Sequence, residues 1–272
     1  MWKIDFYLNP SDDYRKISYN DAYDLDTNIG KLKKSDNVFV PDEFYGIRDK
    51  NHVCAAEFLF SEEDDDVKRY LYEIISKQKS TYDSYKDIDM KYEFGYIIFP
   101  SDDIPPGKEN IAVKNTVVPN NDITKVKRNY ILKVTTYDDY VERIKAAFPD
   151  ILFHDNAFEH IKKLGKFSEI VQELTSHLTV LNDFAKKIYD ENAGNEEETF
   201  RKIKSTHDIT CSGKGSNENI DYKLEYRGIT ITCNPHTKFG NGHNDQRIYF
   251  SWGRNEIENH KIIIARIGDH WK

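Results

Sequence analysis

The feature that most constrains this chain is one long apolar stripe. Between residues 167 and 191, Ile170, Leu174, Leu178, Leu181, Ala185 and Ile188 recur at helical spacing. That spacing sets them on a single face of an α-helix of roughly seven turns. A stripe this wide is buried only against another layer. The residues that follow read as β: 209–211, 222–226, 228–233, 247–252 and 261–267, with Tyr226-Arg227-Gly228 as a tight turn between two of them. The C-terminal part is therefore expected to set helices against an antiparallel sheet.

The preceding residues give a weaker pattern of the same class. A strand is expected over 1–8, with Ile4, Phe6 and Leu8 on one face, and a short extended Val38-Phe39-Val40 within the loop-rich 10–50. A second strand is expected over 52–60. Ser61 then caps a helix to about residue 79, with Val67, Tyr70, Leu71, Ile74 and Ile75 at helical spacing and acids in its first turn. Strands are expected over 92–99, 111–118 and 129–134, a turn-rich connector over 101–108, and a helix over 137–148. A boundary is placed at Pro149-Asp150. Beyond it come a strand over 151–153, a helix over 156–164, the long helix, a break over 192–198 and a helical turn over 199–204. Residues 213–219 and 234–245 read as polar loops. The fold class is α+β: an acidic α+β domain, 1–149, then a small domain, 150–272, with an α-hairpin and an antiparallel β-meander.

Charge divides along the same line. Residues 201–272 hold 12 Lys and Arg against 8 Asp and Glu, so with a total of −8 the first 200 residues carry −12. Five of the nine histidines also fall in that last quarter: His207, His236, His243, His260 and His270. Cations and imidazoles gathered in one β-rich unit suit an anionic substrate or partner. The 18 Tyr and 15 Phe supply a core. No run of 18 apolar residues occurs, and Met-Trp-Lys-Ile-Asp-Phe-Tyr has no apolar leader core, so neither a membrane span nor a signal peptide is expected. Three widely spaced cysteines, Cys54, Cys211 and Cys233, do not form a disulfide framework. The expected location is cytoplasmic.

Residues 151–164, Ile-Leu-Phe-His-Asp-Asn-Ala-Phe-Glu-His-Ile-Lys-Lys-Leu, resemble the strand-to-helix opening of the RelE/ParE-type toxin superfamily. Arg247-Ile248-Tyr249-Phe250-Ser251-Trp252 is similar to that family's third strand, and 261–270, ending Arg266-Ile267-Gly268-Asp269-His270, to its last. The resemblance implies a short strand leading into an α-hairpin and then a three-stranded antiparallel meander. It also implies a toxin, toxin–antitoxin or antiviral-defence effector that binds RNA and cleaves it as a metal-independent nuclease, a hydrolase in the broad sense. The alternative is a non-catalytic interaction protein of such a complex, binding nucleic acid or an acidic protein. That alternative is favoured by a chain that stops at Lys272, short of the C-terminal catalytic residue that ribonuclease members often use.

The candidate catalytic residues are Arg247, Tyr249, Arg266 and His270. Guanidinium groups bind phosphate through fixed donors and stabilise developing charge; an imidazole near pKa 6.5 serves as general acid. Strand alternation puts Arg247 and Tyr249 on an accessible face. Their structural alternative is a solvated sheet face with cross-strand ion pairs. The candidate substrate-binding residues are Lys214, His236, Lys238 and His243, whose alternative is a polar surface loop. No cofactor is expected. A second alternative uses Cys211, Cys233, His236 and His243 as tetrahedral zinc ligands.

Overall fold

A computed structural model describes residues 5–9, 37–62, 65, 68–69, 71–72, 75, 78–82, 94–98, 116–117, 123–214, 222–240 and 246–271. The chain forms two compact units, Met1–Tyr130 and Ile131–Lys272. That division falls earlier than Pro149-Asp150, so the helix expected over 137–148 belongs to the second unit. Both units combine helices and sheets, and the class is α+β.

The first unit carries five strands: β1 (Asp5–Asn9), β2 (Asn37–Pro41), β3 (Gln78–Tyr82), β4 (Phe94–Ile98) and β5 (Thr116–Val117). They form one sheet in the order β3-β2-β1-β4-β5, and every neighbouring pair is parallel. The chain thus builds outward from β1 on one side and then crosses to the other, so each link is a crossover rather than a hairpin. Residues 52–60, expected as a strand, instead hold helix α1 (Ala55–Leu59). The local reason is a capping box. Cys54 Sγ accepts from Glu57 N–H, while the Glu57 carboxylate accepts from Cys54 N–H. Residues 129–134 are not a strand either. Helix α2 (Ile123–Ile131) runs into them, its amphipathic period overriding the β-branched composition. The connector at 101–108, and most of the helix expected over 61–79, lie outside the described residues.

The second unit contains helices α3 (Tyr137–Ala147), α4 (Phe167–Val180), α5 (Lys186–Glu191) and α6 (Glu196–His207). A π-helical turn over Leu181–Ala185 joins α4 to α5 without a break, so the long helix stands as expected. The expected turn over 199–204 is a full helix, capped by Asn195 accepting from Glu198 N–H. The helix expected over 156–164 is a series of turns ending in a 3-10 segment, Ile161–Leu164. Gly165, at φ +102°, then reverses the chain.

Seven strands follow the same unit: β6 (Ile151–Phe153), β7 (Thr210–Ser212), β8 (Lys223–Tyr226), β9 (Ile229–Thr232), β10 (His236–Phe239), β11 (Gln246–Ser251) and β12 (Ile262–Gly268). Five make a sheet in the order β6-β12-β11-β10-β7, antiparallel except that β6 runs parallel to β12. β8 and β9 form a separate hairpin whose turn uses Arg227 and Gly228 at positive φ. The loop expected over 234–245 is a strand in its first half. Two of its polar residues, His236 and Thr237, are buried because they find partners, while Lys238 is exposed: Thr237 Oγ1 lies 2.8 Å from His177 Nδ1 of α4.

Helix α4 covers one face of this sheet. His177 packs against Phe239, ring centroids 5.4 Å apart, and the Glu173 carboxylate accepts from Gly240 N–H at 3.1 Å. Tyr140 of α3 ties into α4 through Thr175 at 2.9 Å. On the other face, Ile231, Cys233, Tyr249, Ile257, Ile263 and Ala265 form a core under the β8–β9 hairpin. No described helix is long and apolar enough to cross a membrane.

Candidate anion-binding face

The register of three strands gathers the cations. Lys238 on β10 pairs with Arg247 on β11, Arg247 pairs with Gly268 on β12, and Tyr249 pairs with Arg266. Directly paired residues project from the same side of a sheet, so Lys238, Arg247 and Arg266 share one face, the face of the hairpin. Lys238 and Arg247 are immediate cross-strand neighbours. Arg247 and Arg266 are diagonal neighbours, roughly 7–8 Å apart at the backbone. The register of β11 and β12 shifts between Tyr249 and Phe250. Ala265 is the extra residue of this bulge, which keeps both Ala265 and Arg266 on the hairpin side.

Arg266 is held in place. Its Nη2 donates to Asp269 Oδ1 at 2.5 Å, and its guanidinium stands 5.8 Å from the centre of the Trp271 ring. Its side chain is 14% exposed, and its Nε is buried with no hydrogen-bond acceptor among the described residues. Burial works to raise the Asp269 carboxyl, but the Arg266 guanidinium, joined by Lys163, outweighs it and holds the group below its ordinary range. His160 closes the strip at Gly268. A side-chain carbon at Gly268 would come within 2.7 Å of His160 Cβ, so the histidine stands directly over the glycine that faces Arg247. His160 Nδ1 is buried without a hydrogen-bond partner among the described residues.

Tyr249 is fully buried, which corrects the accessible position expected from alternation. The strand faces were right, but the hairpin and residues 270–271 cover this part of the face. Its hydroxyl accepts from Trp271 N–H at 3.1 Å, and its ring meets Tyr222, His236 and Trp271. His270 lies edge-on to it at 6.5 Å and is half-buried. His236 is buried too, rather than displayed on a loop. Its Nδ1 lies 3.0 Å from Asn234 O. Lys214 is not brought to the strip; it lines a separate cleft with Trp252 and Arg254. His243 lies outside the described residues.

The zinc arrangement does not assemble from the described ligands. Cys211 pairs with Thr237, on the α4 side of the sheet, while Cys233 belongs to the cluster around Tyr249 on the other. Burial pushes both thiols up to about 12, so both are neutral. Among the described residues no three His, Cys, Asp or Glu side chains lie close enough to hold a metal ion.

Sequence reasoning passed over His160, Lys163 and Trp271 as site residues. Gly268 is the one signal that could have found His160, since a glycine inside a strand often marks a close approach. Comparison with protein-family models, with curated proteins and with solved structures finds no match to this chain.

Proposed function

We propose that the second unit binds RNA on the face carrying Lys238, Arg247 and Arg266, and that the chain is a toxin- or defence-type effector. The observation that carries this reading is the register of β10, β11 and β12, which aligns three cations on one side of a sheet. Two guanidiniums and an ammonium at this spacing suit successive phosphate oxygens, and guanidinium gives the bidentate geometry. The order of elements also supports it. A short strand, β6, leads through helices, with β7 and the β8–β9 hairpin interposed, to the antiparallel β10–β11–β12 meander, and strand, helices and meander come in the sequence that the RelE/ParE resemblance implies.

For cleavage, the 2′-hydroxyl of the RNA attacks the adjacent phosphorus as its proton is removed, the P–O5′ bond breaks to leave a 2′,3′-cyclic phosphate, a histidine gives its proton to the departing 5′-oxygen, and Arg247 and Arg266 stabilise the developing charge. His160 and His270 are the candidates for that proton. Tyr249 is not, because it is buried and its hydroxyl is engaged by Trp271. The second reading, binding without turnover, draws on the same observation together with the Asp269 clamp, which already occupies Arg266.

The test is induction of the wild-type chain and of Arg247→Ala in a bacterial host, with total RNA examined alongside growth. Growth arrest with RNA cleavage that Arg247→Ala abolishes supports the nuclease. RNA binding without cleavage, with a salt dependence that Arg247→Ala weakens, supports the binding protein. Neither binding nor cleavage would overturn both.

A further inference from the structure

A second polar concavity lies in the same unit, away from the strip, at the far ends of β9 and β11. It is a cleft of about 400 Å³, within the range that holds small molecules, and its lining includes Glu196, Lys214, Pro235, Ser251, Trp252 and Arg254. Its two cations come from different segments, Lys214 just after β7 and Arg254 just after β11. The Arg254 guanidinium is oriented by donation from Nη1 to Thr230 O at 2.9 Å. Glu196 is fixed beside Gly213, the residue before Lys214. Its Oε1 accepts from Trp252 Nε1 at 2.9 Å, and Trp252 is itself stacked on Tyr189 at 4.1 Å and 10°. Its Oε2 lies where only a glycine at 213 gives full room, 3.1 Å from the position of a side-chain carbon there. The second carboxylate oxygen is therefore set at a defined place while the first is used structurally.

We infer that this cleft binds a nucleoside monophosphate unit, with its phosphate on Lys214 and Arg254 and the N–H donors of its base on Glu196. Two cations match a phosphate monoester, which carries close to two negative charges. Each carboxylate oxygen has two acceptor sites, so Oε1 can accept again beside its Trp252 bond while Oε2 accepts fully, and two adjacent N–H donors are, among the common bases, guanine's Watson–Crick edge. Pro235 and Trp252 supply the apolar wall. Free GMP and the 3′-phosphoguanosine end of an RNA strand present the same chemistry. The inference stands apart from the proposal for the basic strip, since Arg247 takes no part in it.

The experiment is calorimetric titration of the full chain with GMP, UMP, inorganic phosphate and a short RNA ending in 3′-phosphoguanosine. The expected result is saturable GMP binding, weaker UMP binding, and a loss of about tenfold in Arg254→Ala from one charge-assisted contact. Glu196→Gln should erase the preference for GMP over UMP, and Arg247→Ala should leave GMP binding unchanged. Lys214→Ala gives a second reading should Arg254→Ala fold poorly. RNA binding as tight as that of GMP, weakened by Arg254→Ala and not by Arg247→Ala, assigns the cleft to a strand end; RNA binding that only Arg247→Ala weakens leaves the cleft to the free nucleotide. No saturation by any nucleotide at millimolar concentration, or binding of GMP no tighter than inorganic phosphate, overturns the inference.

Discussion

His160 stands over Gly268 so closely that a methyl group at residue 268 would lie 2.7 Å from its Cβ. The clash would be with the root of the side chain, which cannot rotate away. Gly268→Ala should therefore displace the 3-10 segment from β12 and destabilise the second unit by about 1–3 kcal/mol, the usual range for overpacking. Urea unfolding of the variant checks this. An unchanged midpoint would mean that His160 is not packed there.

Tyr249→Phe tests the buried tyrosine. The change removes the hydroxyl that accepts from Trp271 N–H, at a cost of about 0.5–1.5 kcal/mol in stability for that bond. RNA binding, and any cleavage, should persist at close to the wild-type level. A large loss of cleavage with little loss of stability would return Tyr249 to the chemistry.

Arg247→Ala and Lys238→Ala should each lower RNA affinity and reduce the slope of log affinity against log salt by about 1, the signature of one lost phosphate contact. Lys238 is exposed, so its variant should hardly move the unfolding midpoint, whereas Arg247 is half-buried with its Nε enclosed, so its variant should lower the midpoint and its affinity is read on the folded protein. Filter binding at several salt concentrations measures the slope. An unaltered slope in both variants places the RNA elsewhere.

His177 makes stability depend on pH. Burial depresses its pKa from 6.5 to about 4 in the folded chain. The unfolded chain takes up this proton near pH 6.5, and the folded chain does so only near 4. Stability is thus full above pH 6.5, falls as pH drops from 6.5 toward 4, by at most about 1.4 kcal/mol per pH unit, and levels off below. Denaturation midpoints for the wild type and His177→Gln, taken across this window, read the difference. Parallel curves would remove His177 as the cause.

The thiols give a chemical check on burial. Cys211 and Cys233, both neutral with pKa pushed up to about 12, should resist a disulfide exchange reagent at pH 8 in the folded chain. Cys54 and Cys211 are both half-buried and Cys233 is buried, so Cys54, at the start of α1, should react first and Cys233 last. Rapid reaction of all three without denaturant would contradict the packing of both β7 and the cluster around Tyr249.

Where an element's signal is local, the sequence carried it. The stripe from Ile170 to Ile188 depends only on residues three and four apart, and it forms α4, the π turn and α5 as one rod. Alternation in 247–252 fixed which side chains share a face, including Arg247 with Tyr249. The second strand expected over 52–60 failed because a pair of reciprocal hydrogen bonds between Cys54 and Glu57 outweighed strand-like composition. Residues 236–239 read as loop because their polar groups look solvated; Thr237 is buried only because His177, 60 positions earlier, comes to meet it.

The sequence by itself therefore determined the helical rod, most strands of the second unit and the charge that its last quarter carries. The tertiary structure decided what those charges do. Strand register set Lys238 beside Arg247 and Arg266 within reach, the hairpin closed over Tyr249, and His160 came to lie on Gly268. The physical reason is that periodicity reports which face a residue occupies, whereas burial and proximity are set by what distant segments place on that face.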